Sequence, residues 1–201
     1  WYMDSGIRDL FNFAMGMDQV AAAVNGYGGD LAVINSFDTL MNEDEDSYDF
    51  RTINFDDFGK SMYVRYGHAD ATPEEIDDGD GKHVGTATQA VYRITTFFGF
   101  VSARFPDGNY DRVDTGLQGL TLNITYYSKS LGADRNATVL LPPGYNDPEY
   151  ADTYYPTVYF GHGYGMDPAD LGATAAIILN YEKLGYLQKM IIVYLDGRCC
   201  F

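Results

Sequence analysis

The sequence predicts an α/β protein, a mostly parallel sheet with flanking helices, present as two partial units. Three stretches carry that expectation. Trp1–Phe37 reads as strand, helix, strand; Thr157–Pro168 reads as strand, glycine-rich turn, capped helix; Leu120–Leu141 reads as two alternating runs around a turn. The first two are the grammar of parallel strands joined by crossover helices. The third is that of an antiparallel hairpin.

Composition narrows the function classes. In 201 residues, 46% are hydrophobic and 15% aromatic, which suits a globular chain able to bury a core. A formal charge of -16 argues against nucleic acid as a partner, because phosphate recognition needs a basic surface. No apolar run approaches the length of a membrane span and no signal peptide is visible, so a membrane is not an expected partner either. Trp1 at one end and Cys199-Cys200-Phe201 at the other do not look like natural termini, and we expect an internal fragment. Vicinal cysteines rarely pair with each other, so the redox compartment stays open. An extracellular or periplasmic location is favoured.

Along the chain, Trp1–Met3 reads as the tail of a strand and Asp4–Asp9 as the loop leaving it. Leu10, Phe13, Ala14, Met17, Ala21 and Val24 recur at helical steps until Gly26 and Gly28-Gly29 end the helix. Leu31–Phe37 is apolar enough for a buried strand. Residues 41–82 hold Glu43–Asp46, Asp56-Asp57, Glu74-Glu75 and Asp77-Asp78-Gly79-Asp80, with apolar content only around Phe55, Phe58 and Met62–Tyr66. They read as an acidic surface insertion, and His68 within it as an ordinary exposed histidine. Asp77–Gly81 misses the spacing of a calcium loop, so a solvated acidic loop is expected there rather than a metal site. His83 follows a glycine-rich turn at the start of a helix whose expected buried stripe is Ala87, Ala90, Val91, Ile94, Phe97, Phe98 and Val101.

The second half opens with the hairpin Leu120–Tyr127 and Arg135–Leu141, turning at Gly132-Ala133-Asp134. Thr157–Phe160 is a β-rich run followed by glycines crowded around His162. Asp167 can cap a helix that starts at Pro168 and runs to about Leu184, with Gly185 as its C′ residue. A strand Met190–Leu195 then ends at Asp196-Gly197. Backbone N–H groups freed at such a glycine turn can hold a developing oxyanion; a tight βα turn without chemistry is the plainer alternative.

Three stretches then carry a family resemblance: Asn136–Tyr145 (NATVLLPPGY), Tyr155–Gly165 (YPTVYFGHGYG) and Ile191–Arg198 (IIVYLDGR). Together they resemble the amino-terminal half of an α/β-hydrolase of the esterase type that includes feruloyl esterases and S-formylglutathione hydrolases. The resemblance implies that the loop after His162 supplies one oxyanion N–H, at Gly163 or Tyr164, while His162 itself is structural. The first hundred residues resemble the opposite end of the same fold, which implies Asp9 as the catalytic acid and His83 as the general base. An imidazole removes the serine proton, and a carboxylate fixes its tautomer and stabilises its charged form. Asp4 is a rival acid, and Asp9 a rival helix cap.

The nucleophile elbow G-x-S-x-G occurs nowhere in the sequence. The order acid, histidine, oxyanion loop therefore implies residues 1–106 as the end of one hydrolase unit, 107–118 as a linker, and 119–201 as the start of a second unit. A circular permutation is the alternative. The implied function is a serine-dependent carboxylic-ester hydrolase, inactive as this fragment alone, acting on a small-molecule or polysaccharide-linked ester. No cofactor and no metal are expected. The alternative is a non-catalytic binding module for carbohydrate or protein, which the 18 Tyr and 12 Phe permit. A calcium-stabilised extracellular domain is a third reading.

Overall fold

Three separate stretches supply the first sheet: β1 (Tyr2–Gly6), β2 (Leu31–Ile34) and β3 (Ser61–Tyr66). All pairings are parallel and the strand order is β1-β3-β2. The chain divides into two units, Trp1–Arg104 and Phe105–Phe201. The computed structural model describes residues 1–40, 48–105, 116–161, 168 and 172–196.

The middle strand corrects the reading of residues 41–82. β1 and β2 are parallel, as expected of a strand–helix–strand unit, yet they are not neighbours, because β3 lies between them. Met62, Tyr63 and Val64 are wholly buried and Tyr66 nearly so. A parallel strand covered on both faces needs a near-continuous apolar run instead of alternation. SMYVRY supplies one, but it is short and flanked by acids, so charge density masks it. Just before it, Phe50 and Phe55 are buried from two 3-10 turns, Phe50–Thr52 and Phe55–Phe58. The acidic stretch therefore contributes both the sheet's centre and part of its core.

Helix α1 (Phe13–Gly26) starts later than its periodicity suggests. Asn12 adopts a left-handed conformation at φ 55 and its N–H bonds Asp9 O at 3.0 Å, which folds Asp9–Asn12 into a turn and leaves Leu10 exposed. Further along, Ala21 is buried with Leu31 and Tyr63, and Met17 and Val24 pack against them. The Asn25 side chain both donates to Leu31 O (3.0 Å) and accepts from Leu31 N (2.9 Å), tying the helix end to β2.

Helix α3 (Ala87–Arg104) also differs from its expected stripe. Its buried residues are Gln89, Thr95, Thr96, Phe98, Gly99, Phe100 and Ser102, while Val91 is 41% exposed. Polar side chains can be buried when their hydrogen bonds are satisfied within the fold. Thr95 donates to Val91 O (2.9 Å) and Thr96 to Tyr92 O (2.6 Å), so apolar periodicity alone misplaces the inner face.

In the second unit β4 (Leu120–Ser128), β5 (Ala133–Leu141), β6 (Thr157–Gly161) and β7 (Ile191–Leu195) form a sheet of order β4-β5-β7-β6. The hairpin β4–β5 and the pair β5–β7 are antiparallel, and β6–β7 is parallel. Helix α4 spans Gly172–Lys183, and the expected cap at Asp167 lies outside the described residues. Leu140, Ile178, Leu187, Met190, Ile192 and Tyr194 make up much of the buried interior. The chain is thus a mixed α/β protein whose first sheet is wholly parallel. No helix among the described residues is long and apolar enough to cross a membrane.

Candidate active site

The site forms where β1 ends. After Gly6 the chain turns, with Ile7 N bonded to Tyr66 O (3.0 Å) and Arg8 N to Gly81 O (2.7 Å). That second bond brings the loop carrying His83 against the loop carrying Asp9. The approach requires glycine: a Cβ at Gly6 would lie 2.1 Å from the Gly81 carbonyl oxygen.

Asp9 and His83, far apart in sequence, meet here: Asp9 Oδ2 is 2.7 Å from His83 Nδ1. The Asp9 side chain is only 2% exposed, and its other oxygen accepts from Phe11 N at 2.7 Å. A buried carboxylate is tolerable only when its lone pairs find partners, and this one has a backbone amide and a ring nitrogen. The bond at Nδ1 directs the remaining ring nitrogen, Nε2, outward on an imidazole that is 42% exposed. Phe11 meets that ring edge-on at 5.1 Å and Phe13 lies tilted at 5.6 Å, so two aromatic rings confine it. The arrangement can accept a proton at Nε2 while Asp9 stabilises the resulting imidazolium.

The rival acid Asp4 is engaged elsewhere. It pairs with Arg93 at 2.7 Å. Arg93, on α3, also donates from Nη1 to His83 O (3.0 Å) and Val84 O (3.1 Å) while lying 4.8 Å from the Tyr66 ring centre. Tyr66 donates its hydroxyl to Lys82 O (3.0 Å) and His83 O (2.7 Å). Burial pushes the Tyr66 hydroxyl up to about 12, against the opposing pull of Arg93, which keeps it protonated and able to donate. The backbone of His83 is therefore clamped from β3 and from α3. Sequence reasoning missed Tyr66 and Arg93; an arginine amid an apolar helical run was the available signal.

Asp80 corrects the expectation of a solvated acidic loop. It follows the short helix α2 (Pro73–Asp77), whose start is closed by a reciprocal capping box between Thr72 and Glu75. Asp80 is 3% exposed. Its carboxylate accepts from Arg8 Nη1 (2.9 Å), His68 N (2.8 Å) and Gln89 Nε2 (2.7 Å), and meets His68 Nδ1 at 2.9 Å. Burial alone would push this carboxyl up, but the hydrogen bonds from His68 and Gln89 outweigh it and hold it below its ordinary range. His68 is not the free surface histidine its context suggests. Its bond to Asp80 is the chief cause that raises its pKa, and Asp38 lies 3.5 Å from Nε2.

The expected oxyanion residues Gly163 and Tyr164, with His162, lie outside the described residues. So do Cys199 and Cys200. In the second unit, β6 and β7 run parallel up to Gly161 and Leu195.

No family model matches the sequence. Among solved structures, the chain is similar to a ferulic acid esterase at 27% identity and a TM-score of 0.36, over 40% of this chain and 32% of that one. It is similar to a CE1 ferulic acid esterase from Anaeromyces mucronatus solved with ferulic acid, at 32% identity and 0.34, over 46% and 35%. An S-formylglutathione hydrolase from Staphylococcus aureus matches at 21% identity and 0.32, over 42% and 33%. Its structural neighbours are esterases. The chain spans about a third of their length. TM-scores of this size assign no residue its role, so the functional reading rests on the chain's own geometry.

Proposed function

We propose that Trp1–Arg104 carries the acid and base of a serine-dependent carboxylic-ester hydrolase. The observation that carries this reading is the 2.7 Å bond between the buried Asp9 carboxylate and the half-exposed His83 imidazole. In the reaction, His83 Nε2 takes the proton of an attacking serine hydroxyl, and the alkoxide oxygen bonds to the ester carbonyl carbon. The tetrahedral intermediate then collapses, His83 returns the proton to the departing alcohol, and an acyl-enzyme remains. Water attacks the acyl-enzyme with the same base, releasing acid and free serine. Asp9 stays ionised throughout and holds Nδ1–H.

With no G-x-S-x-G in the sequence, the nucleophile belongs to a segment outside these 201 residues. Residues 119–201 would begin a second unit whose Gly163 and Tyr164 amides face an ester oxygen. The ester substrate is small or attached to a polysaccharide.

The test uses the longer protein that contains this chain. Fluorophosphonate should label one serine per working unit. His83→Gln should lower p-nitrophenyl acetate turnover by roughly 10³-fold or more, in line with the loss of a positioned base in such triads. The 201-residue chain alone should release no burst of p-nitrophenol. Folded longer protein that fluorophosphonate leaves unlabelled would overturn the enzymatic reading in favour of a binding module.

A further inference from the structure

We infer that Asp80 is a positioning residue for the Asp9–His83 pair, one carboxylate that holds both loops in register. The inference rests on the reading of that pair as acid and base. It concerns a residue that touches neither the reacting atoms nor His83 itself.

Asp80 lies three positions before His83 and is nearly inaccessible to water. Its four hydrogen-bond contacts come from three places. Arg8 Nη1, at 2.9 Å, belongs to the residue immediately before Asp9. The His68 amide and ring, at 2.8 and 2.9 Å, belong to the loop that follows β3. Gln89 Nε2, at 2.7 Å, belongs to the first turn of α3. Arg8 then reaches past Asp80 to donate from Nη2 to His68 O at 2.6 Å, so the guanidinium fork bridges the carboxylate and the β3 exit. Gln89 completes the frame from the other side, its Oε1 accepting from Gly81 N and Thr86 N, both at 3.2 Å. Sliding either loop along the other breaks charge-assisted bonds in a buried setting, where each leaves a polar group unpaired. A pair separated by 2.7 Å tolerates little such sliding.

A scaffold that only stabilised the fold would not need one acid wired to the residue before Asp9 and to the segment leading into His83. The distinguishing measurement is therefore spectroscopic, on the 201-residue chain. Nitrogen-15 NMR of the imidazoles should show His83 with its proton on Nδ1 and that proton shifted downfield by the bond to Asp9. Asp80→Asn keeps the size and one acceptor but loses the charge. It should weaken or abolish the downfield signal and raise the hydrogen exchange rate at His83 Nδ1 by roughly tenfold or more, while amide signals of α1 and β3 persist. A control, Phe98→Leu, should lower the melting temperature without moving the His83 resonance.

An unchanged His83 signal in folded Asp80→Asn protein overturns the inference, and so does an equal change in the Phe98→Leu control. If Asp80→Asn does not fold, Arg8→Lys serves: it keeps the charge but cannot span both Asp80 and His68 O, and the same signal must weaken. The readout does not depend on hydrolysis. A protein silent to fluorophosphonate that still shows the Asp80→Asn shift loses the enzymatic reading and keeps the positioning one.

Discussion

His68 titrates as part of the frame around His83, and the sign of its effect follows from its partners. Its pKa is raised above the ordinary 6.5, chiefly by the bond to Asp80, with Asp38 adding to it and Arg8 facing the same carboxylate. A histidine that holds its proton more tightly when folded adds stability below the unfolded pKa, and that contribution fades as pH rises through the folded one. The ring is 57% exposed, so the effect is modest and salt-sensitive. Urea midpoints should fall as pH climbs from about 6 to about 8, and His68→Gln should remove much of that fall. A slope identical in the variant would dissociate His68 from the network. At this scale the family resemblance implied Asp9 and His83 as acid and base, and the structure brings the two side chains together. It did not show Asp80, because nothing local distinguishes the acid that becomes buried from the neighbours that stay in water.

The carboxyl ends of helices were the most legible part of the chain. Gly185 was readable as the residue past a helix, and it sits at φ 78 after α4. Tyr186 N bonds Tyr181 O at 2.9 Å and Gly185 N bonds Glu182 O at 3.2 Å, the reciprocal pair that closes a helix through a left-handed residue. Gly185→Ala should cost about 1 kcal/mol, seen as a lower urea midpoint with an unchanged slope, because a Cβ disfavours that backbone region. A midpoint within error of the parent would remove the φ argument. Helix faces were less legible. Apolar periodicity predicts an α3 stripe of which Phe98 is fully buried, but the fold also buries Gln89, Thr95 and Thr96, whose bonds depend on where the helix docks.

For the molecule as a whole, charge and exposed apolar surface act against each other. On β4, an edge strand, Leu120, Leu122, Ile124 and Tyr126 are each about 40% exposed along one face. Such an edge invites pairing with another chain, while a formal charge of -16 repels one copy from the next. Salt screens the repulsion over about 10 Å at 0.1 M and leaves apolar attraction intact. The chain should therefore associate more as salt is raised, and Ile124→Lys should weaken that association. Sedimentation velocity across a salt series reads both outcomes; association that falls with salt would make charge pairing its cause.

From residue order alone came the α/β class, the hairpin at Leu120–Leu141 and the position of α4's end, whereas Asp9 and His83 as acid and base were implied by the family resemblance. The first three depend on periodicity, capping and turn chemistry, which are local. Only the tertiary structure decided that β3 separates β1 from β2, that Asp4 belongs to Arg93, and that Asp80 is buried between Arg8, His68 and Gln89. Those outcomes depend on which distant groups satisfy a buried charge or a two-faced strand, and a partner many residues away leaves no mark on the neighbouring sequence.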